Sequence, residues 1–292
     1  MAIYSLNGDG INSAYGFDGE ALPTAYDIDG DLVYSQTPPQ RDYDNYTISS
    51  MFTYGSSAMQ GFAIYNGIIA QIREGYTLHL IDIATKSLIR EVALDDMNHG
   101  NSCQFSDEFY DENDEFPLFY ERSNRINVYR ITGTTSTIVK QYSFPTETLG
   151  TYVAGFGIDC ENRKFYTASY TEGDYTTKTG LLRICVWDMD DVTEIDTNVY
   201  RMTLISSNDL TWFTNYDAVQ GCCFHDGYFF IATGMHASQY VVLVDGETLT
   251  IAHSVLITGT AEIQGCGWAD DDYMVVGQNH TIVYKKVEFG TT

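Results

Sequence analysis

The stretch Gln60-Gly-Phe-Ala-Ile-Tyr-Asn-Gly67 recurs as Gln220-Gly-Cys-Cys-Phe-His-Asp-Gly227 and as Gln264-Gly-Cys-Gly-Trp-Ala-Asp-Asp271. Weaker copies begin at Asn101 and Ala154. In each copy a small residue precedes alternating positions and then a turn of Asn, Asp or Gly, which is the pattern of a short strand that enters a tight hairpin. The sequence therefore predicts a repeated β-hairpin unit.

The residues after each copy predict further strands. After the copies at Gln60 and Gln220 these strands fall at 68–72, 77–83 and 87–94, and at 228–232, 240–245 and 249–257. The copies begin about 40 to 65 residues apart, with no helical periodicity between them. Four-stranded units at such spacings are typical of a β-propeller. We therefore predict an all-β fold, a propeller of four-stranded blades, with five blades, or six if residues 1–45 form a blade of their own.

The predicted propeller covers residues 46–292. The last copy leaves too few residues for four strands, so we expect the strand-like run at 46–54 to complete the final blade and close the ring, which also removes an exposed sheet edge. The longer spacings predict insertions at 105–116, 170–180 and 192–216. Long loops on a propeller face are common binding sites.

Residues 1–45 have a different pattern. Ala14–Leu22 is repeated eleven residues later as Ala25–Val33, with Asp-Gly turns between short apolar pairs. Short hairpins bury little surface by themselves. We predict an extended N-terminal arm that docks on a partner, and a flexible acidic tail is the alternative. The residues predicted to make the attachment are Tyr15, Phe17, Tyr26 and Ile28.

Composition excludes several classes of partner. The 292 residues contain 15 Lys and Arg against 40 Asp and Glu, a net charge of −25, which disfavours nucleic acid and anionic membrane surfaces. We expect no membrane insertion, because the chain lacks a long apolar stretch, and no secretory signal, because the first residues lack a basic and then an apolar segment. The six cysteines are predicted to be free thiols.

Several stretches carry a resemblance to known proteins. His99–Ser106, Asp114–Tyr120 and Ile126–Ile131, together with the Gln-Gly strands, resemble propeller-like regions in proteins of gut-associated bacteria and their phages, including phage tail or fibre proteins. The Tyr-Asp-x-Asp-Gly repeats of residues 1–45 look like the attachment arms of virion appendage proteins. The resemblance implies a virion location after assembly in the host cytoplasm, multiple copies, and other virion proteins as partners of residues 1–45. It brings no catalytic residues.

The polar residues offer little support for catalysis. Gln60, Gln220 and Gln264 are predicted to line the channel, where an amide cannot donate a proton as a glycosidase acid must. Asp159 is a candidate acid, although it aligns with the start of a turn. We expect no cofactor and no metal site, with Ca²⁺ at the acidic loops as the alternative, since 107–115 holds six carboxylates but no glycine for an EF-hand loop.

Aromatic residues in the predicted loops suit recognition of a surface or a sugar ring. They are Tyr110, Tyr170, Tyr175, Trp212 and Tyr216, and packing between blades is their alternative role. We therefore expect a non-enzymatic phage virion or tail-associated structural or adhesion protein, whose arm docks to a partner and whose loops recognise a surface, including a host-surface glycan. The alternative is a carbohydrate-active propeller, either a lectin or a glycoside hydrolase or lyase.

Overall fold

The chain is all-β, as predicted. The computed structural model describes residues 3–6, 11–15, 24–26, 32–35, 40–55, 59–73, 77–95, 102–105, 116–122, 124–171, 180–213, 215–234, 239–259, 261–269, 273–279 and 282–291. In those ranges the single α-helix is the one-turn α1 (Thr146–Leu149). The chain divides into two compact units, Met1–Asp42 with Gly290–Thr292, and Tyr43–Phe289.

The first unit contains two short antiparallel strand pairs. β1 (Ile3–Leu6) pairs with β2 (Ile11–Tyr15), and β3 (Thr24–Tyr26) pairs with β4 (Leu32–Ser35). An Asp-Gly dipeptide lies in the sequence between the strands of each pair, as tight hairpins favour. Tyr15 is the last residue of β2 and Tyr26 the last residue of β3, whereas Phe17 and Ile28 lie outside the described residues.

The second unit is built from antiparallel sheets in which hydrogen-bonded strands mostly follow one another in the sequence. Each group of four such strands is called a ladder below. The strands of the second unit are β5 (Arg41–Thr53), β6 (Met59–Tyr65), β7 (Ile68–Arg73), β8 (Thr77–Asp82), β9 (Ser87–Ala93), β10 (Cys103–Phe105), β11 (Phe116–Arg122), β12 (Arg125–Thr132), β13 (Thr135–Ser143), β14 (Val153–Asp159), β15 (Lys164–Tyr170), β16 (Leu182–Asp196), β17 (Val199–Leu210), β18 (Val219–His225), β19 (Tyr228–Thr233), β20 (Gln239–Asp245), β21 (Ile251–Ile257), β22 (Ile263–Ala269), β23 (Tyr273–Gln278) and β24 (Val283–Thr291).

Three of the sheets in the second unit have four strands. They are β6-β7-β8-β9, β18-β19-β20-β21 and β22-β23-β24-β5. The last of these is completed by a strand from the beginning of the chain, because β5 lies beside β24. The strand that precedes β6 and the last three strands, β22 to β24, therefore belong to one sheet.

The fourth sheet has eight strands and consists of two antiparallel halves. Its order is β10-β11-β12-β13-β17-β16-β15-β14, and the halves meet where β13 pairs in parallel with β17, for example at Gln141 and Val199. The Gln141 amide donates to the Asn198 carbonyl at 2.8 Å. The insertion predicted at 192–216 is therefore largely strand: β16 and β17 are extended as a hairpin that reaches β13, which a loop could not pair with so regularly.

The first strands of the four-stranded ladders contact one another in chain order. β6 contacts β10, β10 contacts β14, β14 contacts β18, β18 contacts β22, and β22 contacts β6 again. These five inner strands, β6, β10, β14, β18 and β22, therefore form a closed circle of contacts. All of them begin at the same end of their ladders, which we call the amino end of the inner strands.

The hydrophobic core lies between neighbouring ladders. One cluster joins Phe119 to Trp187, a second joins Tyr170 to Phe229, and a third joins Phe230 to Met274. The remaining clusters join β6–β9 to the ladders on either side. Burial of each large side chain contributes about 1.5–3 kcal/mol, so each ladder is stabilised mainly by its two neighbours.

Tight turns connect the first two strands where the repeat contains Asn-Gly or Asp-Gly. At Asn66 and Gly67 φ is 48° and 73°, and at Asp226 and Gly227 it is 49° and 76°. Two consecutive positive φ values define the type I′ turn that matches the twist of a hairpin. The turn chemistry in the sequence thus fixes both hairpins locally.

Candidate functional site

The repeated glutamine is the extra residue of a β-bulge. Gly61 pairs with Ile72 and Met59 with Arg73, so Gln60 between them has no partner position on β7. The same shift surrounds Gln220, Gln264 and Ala154 in the inner strands β18, β22 and β14. A bulge redirects a side chain that would otherwise follow the alternation of the strand. The repeat therefore places polar side chains at equivalent points near the amino end of the inner strands.

The three glutamines are buried, with 9%, 7% and 4% of Gln60, Gln220 and Gln264 exposed. Gln220 Nε2 donates a hydrogen bond of 2.9 Å to Glu262 Oε1, just before β22. Among the described residues the side-chain amides of Gln60 and Gln264 make no hydrogen bond. These two amides therefore have hydrogen-bonding groups that a ligand or water can meet.

Further amides extend this polar region at the amino end. Gln278 Nε2 donates to Gln239 Oε1 at 3.2 Å and to the Ala261 carbonyl at 3.1 Å. Met59 N donates to Asn279 Oδ1 at 3.2 Å, which links β6 to the ladder of β22. We call Gln60, Gln220, Gln264 and Glu262 the amide ring. Its groups can form directional hydrogen bonds with a polar ligand.

The space between the inner strands is filled beside the amide ring. Cys222 N donates to Ser102 Oγ at 3.1 Å, and Gln104 Nε2 donates to the Cys222 carbonyl at 2.5 Å. These bonds join β10 and its preceding residue to β18, which is not the next inner strand in the circle. Side chains therefore occupy the centre at this level, next to the glutamines that were expected to line a channel.

Asp159 serves a turn at the opposite end of its strand. The Asn162 backbone amide donates to Asp159 Oδ1 at 3.0 Å, and Asn162 Nδ2 donates to Oδ2 at 2.9 Å. Only 5% of Asp159 is exposed. Burial, and then Asp159, raises the pKa of the neighbouring Tyr166 hydroxyl to about 12. Both carboxylate oxygens are committed to the turn, which explains why this strand ends with an aspartate.

The aromatic residues expected in loops have different positions. Tyr170 ends β15 and Trp212 follows β17. Only 1% and 0% of these side chains are exposed, so the recognition role is wrong for both and their alternative role, packing in the core, is correct. Their polar atoms are satisfied inside the core, because Tyr170 Oη accepts from Val219 N at 2.9 Å and Trp212 Nε1 donates to the Asp217 carbonyl at 2.7 Å. Their rings fill the contact between the ladders of β14 and β18.

Tyr216 is half-buried and keeps an accessible side chain near the amino end. Its ring lies 4.9 Å from Trp212 and 5.6 Å from Tyr240, measured between centroids. The core aromatics therefore hold Tyr216 in place. Tyr110 and Tyr175 lie outside the described residues.

The cysteines are free thiols, and Cys103, Cys185, Cys222, Cys223 and Cys266 are buried. Burial raises the pKa of Cys185 to about 12. Cys223 Sγ and Cys266 Sγ are 3.7 Å apart, too far for a disulfide bond. The five buried cysteines therefore pack as small apolar groups.

Metal ligands do not cluster in the part of the chain that the structure describes, where no three His, Cys, Asp or Glu side chains gather. The acidic stretch at 107–115, the alternative Ca²⁺ site, falls outside the described residues. No described helix is long and apolar enough to cross a membrane.

A polar cluster that the sequence analysis missed surrounds His79. Its ring contacts Tyr54, Arg73 and Glu91, which come from three separate stretches of sequence. No motif spacing connects these residues. The only sequence signal is an alternation in which His79 interrupts the apolar strand Leu78–Ile81.

Comparisons with known proteins provide a fold relationship. No family model and no curated protein sequence matches the chain. Among solved structures, glutaminyl cyclase from Myxococcus xanthus is similar, with a TM-score of 0.54 and 9% sequence identity over 85% of this chain and 97% of the cyclase chain. At this identity the likeness shows that the two chains share their fold.

Proposed function

We propose that the chain is a five-bladed β-propeller that serves as a non-enzymatic recognition and attachment module of a phage virion or tail appendage. The blade count rests on the circle of contacts among the five inner strands and on the hydrophobic clusters between successive ladders. In this interpretation the eight-stranded sheet is two blades joined at their outer strands, β13 and β17. The final blade is completed by β5.

The observation that carries the recognition role is the bulge glutamine repeated in three inner strands. The amides of Gln60, Gln220 and Gln264 offer donors and acceptors but no proton to transfer at neutral pH. Tyr216 adds an aromatic side chain near the same end. Amides with an aromatic edge suit the hydroxyl groups and ring faces of a sugar, so a host-surface glycan is the proposed ligand.

The attachment role belongs to residues 1–40, which precede β5. Hairpins as short as β1–β2 and β3–β4 gain stability when they pack on another surface. Other virion proteins are the proposed partners. Because β5 begins at Arg41 and completes a sheet, a deletion that tests the arm must end before that residue.

The test is therefore deletion of residues 1–40, compared with the full chain for folding and for incorporation into the parent particle. We expect an unchanged far-ultraviolet spectrum and cooperative unfolding, but loss of incorporation. Normal incorporation of the truncated chain would contradict the attachment role. Deletion of residues 1–53, which also removes β5, is the control that destabilises the fold.

Catalysis is the second candidate function. The carboxylate of Glu262 in the amide ring supports it, because Gln220 Nε2 donates a hydrogen bond of 2.9 Å to this carboxylate. The fold is shared with an enzyme described as a glutaminyl cyclase. Incubation with polysaccharides and with a peptide that has an N-terminal glutamine tests this candidate. Product release that Glu262→Gln abolishes would replace the non-enzymatic proposal, whereas glycan binding without product supports it.

A further inference from the structure

Polar side chains gather on one face of the first ladder, where it meets the last ladder. The register places Gln71 on β7 opposite His79 on β8, and His79 opposite Glu91 on β9, so the three side chains share that face. Tyr284 of β24 reaches them from the last ladder, and its hydroxyl donates to Gln71 Oε1 at 2.6 Å. Tyr54 reaches them from the connection between β5 and β6.

The hydrogen bonds of this cluster have a defined direction. His79 Nε2 lies 3.1 Å from Glu91 Oε2, and a carboxylate can only accept, so Nε2 carries the proton. In the neutral ring Nδ1 then holds the lone pair. The Tyr54 hydroxyl, 3.2 Å from Nδ1, must therefore donate to it. The result is a series of hydrogen bonds from Tyr54 through His79 to Glu91, which we call the tyrosine relay.

Arg73 lies over the face of the His79 ring. One terminal nitrogen of its guanidinium is 3.4 Å from Nδ1 and 3.3 Å from Nε2. An atom nearly equidistant from both nitrogens at this range would overlap the ring if it lay in the ring plane. Arg73 therefore leaves the Nδ1 lone pair to Tyr54, and its charge favours the ionised form of the Tyr54 hydroxyl.

We propose that the tyrosine relay makes Tyr54 a nucleophile that accepts an acyl group. A hydroxyl hydrogen-bonded to a base, which a third group orients, is the arrangement of activated nucleophiles in general. Tyr54 is half-buried and so remains accessible, whereas 5% of His79 is exposed and its ring is fixed from both sides. Tyr54 is the nucleophile, His79 the base, and Glu91 a positioning residue.

Protonation states at neutral pH agree with this assignment. Burial lowers the pKa of His79, and the charge of Arg73 lowers it further, whereas Glu91 raises it. The net pKa is lowered, so the ring is a neutral base at neutral pH. Burial raises the pKa of Tyr54. The charge of Arg73 lowers this pKa, and the charge of Glu91 raises it. Tyr54 is therefore a phenol, and its reactivity requires His79 to take the proton as the new bond forms. Tyr284 faces the same cluster, and burial raises the pKa of its hydroxyl too.

Beside the relay, Gln71 Nε2 is buried and makes no hydrogen bond among the described residues. An unsatisfied buried donor is uncommon in folded proteins. The amide lies opposite His79 across the ladder, so this unused donor borders the relay inside the core.

The proposed step balances without a further reactant when the acyl donor is N-acetylimidazole. The Tyr54 oxygen bonds to the acetyl carbon, the carbon–nitrogen bond to the leaving imidazole breaks, and its electron pair stays on that nitrogen. The tyrosine proton passes to His79 Nδ1 and then to the leaving imidazole. The product is an O-acetyl tyrosine. The proposed reactivity of Tyr54 does not depend on any recognition role of the amide ring.

The test is acetylation of the full chain with N-acetylimidazole, followed by peptide mass mapping over time. Tyr200 and Tyr273, which are half-buried and outside the relay, are the internal controls. We expect Tyr54 to be acetylated at least tenfold faster than either, and His79→Asn to remove that advantage, since a general base typically contributes about 10²–10⁴-fold. Equal rates at the three tyrosines in the native chain would overturn the proposal.

Glu91→Gln gives a second readout. Because 56% of the Glu91 side chain is exposed, we expect this variant to keep the native fold. Loss of the carboxylate removes the group that raises the pKa of His79, so the acid limb of the Tyr54 rate should move to lower pH. A rate and pH profile equal to those of the native chain would show that Glu91 has no part in the relay. This comparison also decides the proposal if His79→Asn does not fold.

Discussion

Gly155 of β14 lies directly against Cys222 of β18, so closely that a Cβ at position 155 would overlap the cysteine Sγ. Ser102 Oγ would also lie 3.2 Å from that Cβ. At position 155 the glycine of the repeat is therefore required by the approach of a neighbouring inner strand, and not by its backbone angles.

Gly155→Ala should lower the free energy of unfolding by about 1–3 kcal/mol, because the added methyl group overpacks the contact. Urea denaturation measures the change. In the double variant Gly155→Ala with Cys222→Ala the overlap is relieved, and we expect a loss smaller than the sum of the single losses by about 1 kcal/mol. Additive losses would mean that Cys222 is not the obstacle.

Because β5 completes the sheet of β22, β23 and β24, we expect a substitution at Tyr43 of β5 to lower the stability of the fold strongly. Its ring is 4% exposed and lies 5.0 Å from Tyr228 and 4.9 Å from Phe289 between centroids. Tyr43→Ala should cost about 3–5 kcal/mol of stability by leaving a cavity. Thr47→Ala, at an exposed position of the same strand, should cost under about 0.5 kcal/mol. Similar unfolding midpoints for the two variants would contradict a structural role for β5.

The buried histidine predicts a loss of stability in mild acid. Burial, and then Arg73, holds the pKa of His79 below its ordinary value, so the unfolded chain binds a proton below about pH 6.5 that the folded chain does not. The contribution is complete above about pH 6.5 and is lost as the pH falls toward the folded value. Between about pH 7 and pH 5.5 the native chain should lose more stability in urea than His79→Asn. Equal losses would assign the acid sensitivity to other groups.

Glycan recognition by the amide ring predicts selective losses of affinity. If an array identifies a bound glycan, Gln60→Ala and Gln264→Ala should each weaken binding by roughly fivefold, the equivalent of about 1 kcal/mol for one hydrogen bond. Thr203→Ala, exposed on β17, should leave the affinity unchanged. Isothermal titration measures the dissociation constants, and unchanged values for both glutamine variants would place the ligand elsewhere.

Attachment through residues 1–40 should depend on salt. This segment holds six acidic residues and no Lys or Arg, so a less acidic virion protein is the expected partner. Added salt screens such a contact over a Debye length of about 10 Å at 0.1 M. A pull-down of particle proteins should therefore recover less partner at high salt. Recovery that ignores salt, or that survives deletion of residues 1–40, would assign the attachment to the rest of the chain.

The sequence by itself determined the elements whose causes are local. Asn66-Gly67 and Asp226-Gly227 require type I′ turns, and the strands around them are too apolar and too short for anything but packed sheets. The all-β class followed from these repeats. Their common glutamine also marked the candidate site, although the bulge that directs it depends on the register with the second strand.

The tertiary structure decided what depends on distant pairing. Nothing near Tyr170 or Trp212 in the sequence distinguishes an exposed aromatic from one that fills the space between two ladders, since burial is set by the neighbouring ladder. The parallel pairing of β13 with β17 is equally non-local. Tyr54, His79 and Glu91 became a relay only because two strands and a connection bring their side chains to one face, and hydrogen bonding at about 3 Å depends on that final geometry.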